Sequence, residues 1–280
     1  MGLGPNQDKG WFKVLTMVIG ADVSHGGAGT LTPSVAAMTI SKDRHAVKFI
    51  AAVQTNGVRI EMITKDNITK MLSDNIDGWS KAVANGSHAQ HVIYFRDGVS
   101  EGQYAHVLNQ EVADMRALFK SKGANPKFTV IVATKRHHVR FFPDAASGDR
   151  NGNPQPGTLV ETGVTHPFEH DFYLCSHSAI KGTARPVHYH VILDEAKMDN
   201  TSLQNMIYES SYQYVRSTTP ISLPPAVYYA HLATNRGIAH IDQVLHSDSG
   251  SQGGGMQRAP DQVKPILPMQ PSVKSAMWYV

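Results

Sequence analysis

The sequence predicts an α/β fold, and three observations carry it. Short apolar runs of strand length alternate along the chain with segments whose apolar residues recur at helical spacing. One such run, His91 to Phe95, ends on the carboxylate of Asp97, turns on Gly98 and enters a helix whose first turn holds Ser100 and Glu101. That order places Asp97 at the carboxyl end of a strand, where open α/β sheets carry their chemistry.

In chain order, residues 14–23 read as a central strand ending near Asp22, and residues 34–40 and 46–54 as two further strands. Ile60, Ile63, Ile68 and Met71 then follow at roughly helical spacing. After the strand that ends at Asp97 comes the clearest helix. Its residues Tyr104, Val107, Leu108, Val112, Met115 and Phe119 make one apolar face, and Lys122-Gly123 closes it with a cation and then a glycine. Residues 128–133 form another strand, and residues 143–157, rich in Asp, Gly, Asn and Pro, a loop. Strands are expected at 171–175 and 188–193. A helix from about Thr201 carries Leu203, Met206, Ile207, Ser210 and Tyr214 on one side, with Asn200 or Thr201 as its cap. A last helix covers 226–239, and residues 247–262 read as flexible. An apolar tail, Met277-Trp278-Tyr279-Val280, ends the chain. There is no internal repeat.

Composition bounds the rest. A chain of 280 residues, 41% hydrophobic and 18% charged, can bury one large core or two small ones and has the make-up of an ordinary soluble globular protein. The formal charge of +3 is too small to identify a nucleic-acid partner, so local clusters of cations matter more. A single cysteine, Cys175, excludes an internal disulfide and suits a reducing compartment. No apolar run approaches the ~18 residues of a spanning helix. Met1-Gly2 lacks the Ser or Thr at position 6 of a myristoylation signal, and no secretory signal is evident. A cytoplasmic location is expected, with the nucleus as the alternative.

The eleven residues Tyr94-Phe95-Arg96-Asp97-Gly98-Val99-Ser100-Glu101-Gly102-Gln103-Tyr104 closely resemble the segment around the middle catalytic Asp of the PIWI domain of eukaryotic Argonaute proteins. Three early strands, a helix and a strand ending in Asp are one of several α/β orders on pattern alone. With the motif, the order implies a ribonuclease-H-like fold, a mixed β-sheet flanked by α-helices. The resemblance runs from about residue 17 to the end, more weakly over 241–270. It implies residues 1–12 as a leader, 13–241 as the PIWI domain, 242–266 as a flexible segment and 267–280 as a tail packing back on the domain.

The resemblance also implies a chemistry. Asp22, in Gly20-Ala21-Asp22-Val23-Ser24-His25, matches the family's first catalytic Asp, Asp97 its second, and His231, in Tyr228-Tyr229-Ala230-His231-Leu232, its last metal-side residue. Glu61, in Val58-Arg59-Ile60-Glu61-Met62-Ile63, is the best match to the glutamate that completes the tetrad, against the bland reading of a solvated Glu opening a helix; Asp66 is the fallback. Such a set would hold two Mg²⁺ or Mn²⁺ ions about 4 Å apart for phosphodiester hydrolysis. Gly26 stands where the family usually has Pro.

Lys135-Arg136-His137-His138-Val139-Arg140 packs cations after a strand. Its bland reading is a solvated basic turn; the resemblance implies guide-backbone contacts by Lys135, Arg136 and Arg140. Zinc is rejected there, because no second ligand pair stands at finger spacing. By the same resemblance His177, Arg185, Tyr214, Arg216, Ser222 and Tyr228 contact guide phosphates, and Arg236 reaches toward the 5′-phosphate. His188 and His190 read as packed or hydrogen-bonded histidines, and Cys175 as a buried small residue.

The implied partners are a small guide RNA, a complementary target RNA, a Trp-containing silencing partner and a MID domain. Nothing here matches the amino-terminal, PAZ or MID domains, and residues 1–16 lack the Lys-containing, Gly-Gly-ending lead-in to a PIWI domain, so a fragment is expected. The function the resemblance implies is a guide-RNA-directed endoribonuclease that cleaves target RNA with two metal ions in RNA silencing; the alternatives are a non-cleaving guide-binding or partner-docking module, and an inactive fragment.

Overall fold

The computed structural model describes residues 14–27, 32–144, 146–241, 265–267 and 269–280. The expected leader, and the flexible segment apart from its last two residues, lie outside the described residues. Eight strands form one sheet: β1 (Thr16–Ser24), β2 (Val35–Ser41), β3 (Phe49–Thr55), β4 (His91–Arg96), β5 (Lys127–Thr134), β6 (Thr158–Val160), β7 (Asp171–Cys175) and β8 (Val187–Asp194). Their order is β3-β2-β1-β4-β5-β8-β7-β6. β1 pairs in parallel with β4, and β4 with β5; every other pair is antiparallel. This is the mixed sheet of the ribonuclease-H-like class.

Helices cover both faces. On one face lie α1 (Lys65–Val83) and a continuous helical stretch. The stretch runs from a 3₁₀ turn at Glu101–Gln103 through α2 (Tyr104–His106) and a π segment at Val107–Val112 into α3 (Ala113–Ser121). Met17, Ile19, Ala21, Val92 and Tyr94 point to that face and pack on Ile68, Met71, Leu72, Met115 and Phe119. On the other face lie α4 (Asn200–Ser210) and α5 (Pro225–Ala239), packed on Val18, Val35, Val53, Ile93 and Phe95. One more turn, α6 (Pro271–Lys274), precedes the tail. The tail lies on β3: Trp278 Nε1 donates to the Ala51 carbonyl at 3.2 Å and Tyr279 Oη to that of Phe49 at 2.9 Å.

Several elements differ from the sequence reading for identifiable reasons. β3 begins at Phe49 rather than 46, because the Asp43 carboxylate accepts from the amides of His45, Val47 and Lys48 and Ala46 turns at φ 51°. α1 begins only at Lys65, where Thr64 caps it, so Ile60 and Ile63 precede the helix and Glu61 sits in the loop, not at a helix start. The cap of α4 is Asp199, not Asn200 or Thr201, and Tyr214 lies beyond the helix. Asp199 wins because its carboxylate accepts from the Ser202 amide at 3.0 Å. β6 was not read at all: it has three residues, one of them exposed, and shows no apolar run. No helix among the described residues is long and apolar enough to cross a membrane.

Gly20 sets how closely α5 approaches the sheet. A Cβ there would meet the Ala226 carbonyl carbon at 2.3 Å and its oxygen at 2.4 Å, backbone atoms that cannot step aside. Gly20→Ala therefore pushes α5 off β1. It is expected to lose about 1–3 kcal/mol of stability in urea denaturation, and to move His231 relative to Asp22.

At the opposite end of the sheet, buried His91 bonds through Nε2 to Thr129 Oγ1 at 2.8 Å, and Thr129 passes its own hydroxyl hydrogen to Asp194 at 2.8 Å. Burial, against a weaker upward pull from Asp194, lowers the His91 pKa from 6.5 to about 4. Between those values the unfolded chain binds the extra proton and the fold does not. Stability is thus fully present above pH 6.5 and falls as pH drops toward 4, by about 3 kcal/mol for this residue. Urea titrations at pH 7 and pH 4.5 should show a smaller difference in His91→Gln than in the parent.

Candidate nucleic-acid interface

Ala21 stands opposite Arg96 in the parallel β1–β4 pair, so the next residues on each strand, Asp22 and Asp97, emerge side by side. Both turn toward α5, because side chains alternate along a strand and the residue before each of them faces the other layer. Gly20 and Ala226 fix the contact between β1 and α5. Five residues farther along α5, His231 lies level with the two aspartates. Its Nε2 is 2.9 Å from Asp97 Oδ2 and 3.7 Å from Asp22 Oδ1. Thr234, one turn on, donates to Asp22 Oδ2 at 3.2 Å. Asp97 Oδ1 accepts from the Gly98 amide at 2.7 Å.

The charges settle around these contacts. Burial raises the pKa of Asp22, and the Asp97 carboxylate beside it adds to the rise, against the pull of His231. For His231 burial acts downward, but the Asp97 hydrogen bond and the two carboxylate charges outweigh it, so its pKa is raised. The His231 ring thus lies between two carboxylates that favour its protonated form.

Glu61 comes from the loop before α1. Its Oε2 lies 2.8 Å from His25 Nε2, and His25 Nδ1 lies 2.7 Å from Ser34 Oγ. Its Oε1 lies 3.0 Å from Arg96 Nη1, an ion pair without the alignment of a hydrogen bond. The same oxygen lies 3.0 Å from where a Gly98 Cβ would stand, and Gly98 has φ 87°, so a larger residue there is strained in its backbone and crowds Glu61. The fallback, Asp66, sits exposed in the first turn of α1.

What holds Glu61 against the aspartates is a pair the sequence reading missed. Arg96 and Glu111 are both fully buried. Arg96 Nε bonds Glu111 Oε2 at 3.1 Å, Nη2 bonds the Glu61 carbonyl at 2.7 Å, and Nη1 bonds the Asp97 carbonyl. Glu111 also accepts from Tyr94 Oη at 2.7 Å and from the Ile63 amide at 2.8 Å. The signal was present: Glu111 falls on the apolar face of its helix, between Leu108 and Val112, and Arg96 ends an otherwise apolar strand. A charge on each of two buried faces calls for an internal partner.

These contacts decide whether the acidic group fits the metal pair implied by the resemblance. As arranged, it does not: Glu61 is engaged by Arg96 and His25, and His231 bridges the aspartates. Among the described residues, no group of three or more His, Cys, Asp and Glu side chains is disposed to hold a metal ion.

An open cleft of about 560 Å³ joins Asp22, Asp97 and His231 to Lys135 and Arg136. Lys135 Nζ donates to Ser222 Oγ at 2.8 Å, and Ser222 is positioned by Ser176 Oγ, which donates to the carbonyls of Ile221 and Ser222. Burial, and then Arg185 and Arg140 nearby, lower the Lys135 pKa. Burial and Lys135 lower that of His177 to about 4, so His177 is neutral at pH 7. Lys135, Arg140, His177, Arg185 and Ser222 thus form one cluster beyond β5. Arg140 spends part of its fork on the carbonyls of His137 and Val139, whereas Arg136 and Arg185 are exposed. Tyr214 stacks near Tyr228, ring centroids 4.9 Å apart, and Tyr228 lies 6.1 Å from the His231 ring. Arg216 is exposed and acts, against the larger effect of burial, to lower the Tyr214 pKa. Arg236 stands exposed in the last turn of α5, outside the groups just described.

A mixed sheet with paired aspartates on adjacent strand ends, closed by a histidine from a crossing helix, defines a ribonuclease-H-like domain. The Piwi domain family model matches residues 5–242, and the chain belongs to that family. It is 38% identical over 273 residues to protein argonaute of Schizosaccharomyces pombe, covering 95% of this chain and 32% of that protein. It is 43% identical over 232 residues to protein argonaute 2 of Oryza sativa subsp. japonica, covering 82% of this chain and 22% of that protein. The chain therefore spans a third or less of these relatives. The crystal structure of Kluyveromyces polysporus Argonaute with a guide RNA superposes with a TM-score of 0.82 at 27% identity, over 95% of this chain and 30% of that one.

Glu111→Gln leaves the Arg96 guanidinium buried without its counter-charge. It is expected to cost about 3–5 kcal/mol in urea denaturation. Hydrogen exchange should show the Ile63 amide losing protection, because that amide bonds Glu111 directly.

Proposed function

We propose that this chain is the RNA-holding module of an Argonaute-type silencing protein, seating a guide RNA and its target without cutting in the arrangement described. The observation that carries the reading is the cationic cluster at the cleft. Lys135 and Arg136 line the open cleft, and Arg185 and Arg140 lie near enough to Lys135 to act on its charge, after burial, in lowering its pKa, so the group favours an anion. Lys135, Arg136, Arg140, His177, Arg185, Tyr214, Arg216, Ser222, Tyr228 and Arg236 would meet guide phosphates, which supply affinity and register while base pairing supplies sequence. The guide RNA in the Kluyveromyces polysporus structure supports this reading. On it, residues 13–241 are the module, with 267–280 bracing its edge, and a MID domain and a Trp-containing silencing partner are its protein partners.

A second reading is favoured by the convergence of Asp22, Asp97 and His231, with Glu61 alongside. It is target cleavage with two Mg²⁺ or Mn²⁺ ions held by those four residues. It requires Glu61 and His231 to leave the partners they hold here.

One pair of assays separates the readings. Anisotropy with a pre-annealed guide–target RNA duplex should show Arg136→Ala weakening binding and flattening the slope of log K against log salt by about 0.7–0.9. Unchanged binding and slope would remove the proposal. The same duplex with Mg²⁺ or Mn²⁺ should stay intact. Cutting at one phosphodiester that disappears in Asp97→Ala would establish the second reading.

A further inference from the structure

Residues 161–170 join β6 to β7 as a loop that is almost wholly exposed, yet its middle is held by a set of specific bonds. His166 stands at the centre of that set. Its amide donates to Oδ1 of Asp171, the first residue of β7, at 2.8 Å. Its ring nitrogen Nδ1 accepts twice from the main chain, from the Phe168 amide at 3.2 Å and from the Glu169 amide at 3.0 Å. The ring thus does what the side-chain oxygen of an Asn or Asp does when it closes a tight turn on the amides ahead of it. Just before it, Thr165 Oγ1 donates to the Glu161 carbonyl at 3.0 Å.

A nitrogen that accepts cannot carry a hydrogen, so the closed turn admits only the neutral ring, with its proton on Nε2. An imidazolium would set an Nδ1–H donor against two amide donors, and both bonds would be lost. Histidine is the side chain whose ordinary titration falls between about pH 5 and 8. His166 is exposed, so a proton can reach it.

The surroundings favour the charged ring once the turn opens. His166 lines a cavity of about 420 Å³ together with Glu101 and Tyr104 from the helical stretch, Glu169 from its own loop, Asp171 and Tyr173 from β7, and His188 and His190 from β8. Neither lysine nor arginine stands among those lining residues, although Arg136 lines an adjoining cavity that shares Glu101 and Tyr104. Two of the carboxylates are already engaged. Asp171 Oδ2 lies 2.6 Å from His188 Nε2, and Glu169 Oε2 lies 2.6 Å from His190 Nε2. These pairs tie the end of the loop to the sheet, so opening is confined to the turn itself. Within the turn stands Phe168, 93% exposed, its ring 6.2 Å from that of His166.

We propose that His166 is a proton-operated catch on the β6–β7 loop: neutral, it holds the turn closed and fixes Phe168; protonated, it releases both amides and frees that ring. Closing the turn requires His166 to give up a proton, so the closed fraction falls as pH falls. The catch is independent of the RNA-holding reading, because none of its bonds involves the cationic cleft.

NMR of the full chain tests it. At pH 8 the imidazole nitrogen shifts of His166 should show the Nε2–H tautomer. On acidification the Phe168 and Glu169 amide signals should move with the midpoint of that ring. Loss of the two bonds should cut the hydrogen-exchange protection of these amides, corrected for the intrinsic rate at each pH, about tenfold. His166→Asn supplies an acceptor oxygen that does not titrate, so both amides should stay protected at pH 8 and at pH 5. In His166→Ala they should be unprotected at both. Amides that do not follow the His166 ring would overturn the proposal. So would equal titration in His166→Asn, which would assign the transition to Glu169, Asp171, His188 or His190 instead.

Discussion

The buried Arg96–Glu111 pair is the contact on which the site's geometry depends. A guanidinium with no exposed surface needs partners for its donors, and Arg96 bonds Glu111, the Glu61 carbonyl and the Asp97 carbonyl, with the Glu61 carboxylate ion-paired beside them. A loop, a strand end and a helix are thereby fixed to one planar fork. The helix carries a π segment at just this point, and Glu111 is one of the residues that segment buries. π segments recur at functional positions.

A second constraint works from the opposite face of the sheet. Gly20 lets the backbone of α5 rest on β1, which carries His231 to the two aspartates. The register of β1 against β4 then sets Asp22 beside Asp97. Both constraints are backbone contacts, and they bring the three side chains to where His231 bonds Asp97 at 2.9 Å. Their electrostatics follow. Burial and the neighbouring Asp97 charge raise the Asp22 pKa, and the two carboxylates raise that of His231 in turn.

The cleft therefore has two walls of opposite sign, an acidic one of Asp22 and Asp97 and a cationic one beginning at Lys135. Tyr228 and then Tyr214 extend from His231 by ring contacts. Beyond the 3₁₀ turn the sign reverses again at Glu101, Glu169 and Asp171. A single sheet thus carries local patches of either sign, which is how a fold with a formal charge of only +3 can be strongly charged in places.

Much of this was legible in the residue order. Apolar runs located seven of the eight strands, and the periodic face from Tyr104 to Phe119 located its helix, because burial on one side imposes a period that survives in sequence. The Asp97 segment and the cationic run 135–140 were equally plain. Other features needed the fold. That Glu61 is engaged by Arg96 and His25, that His231 sits between two aspartates rather than beside one, and that Glu101 meets Glu169 and Asp171 around Tyr104 all join residues tens of positions apart. Local patterning determined which elements form and which residues carry charge. Only tertiary packing decided which charges meet, because an ion pair between distant segments leaves no periodicity in the chain and exists only once strand register and helix approach bring its partners within reach.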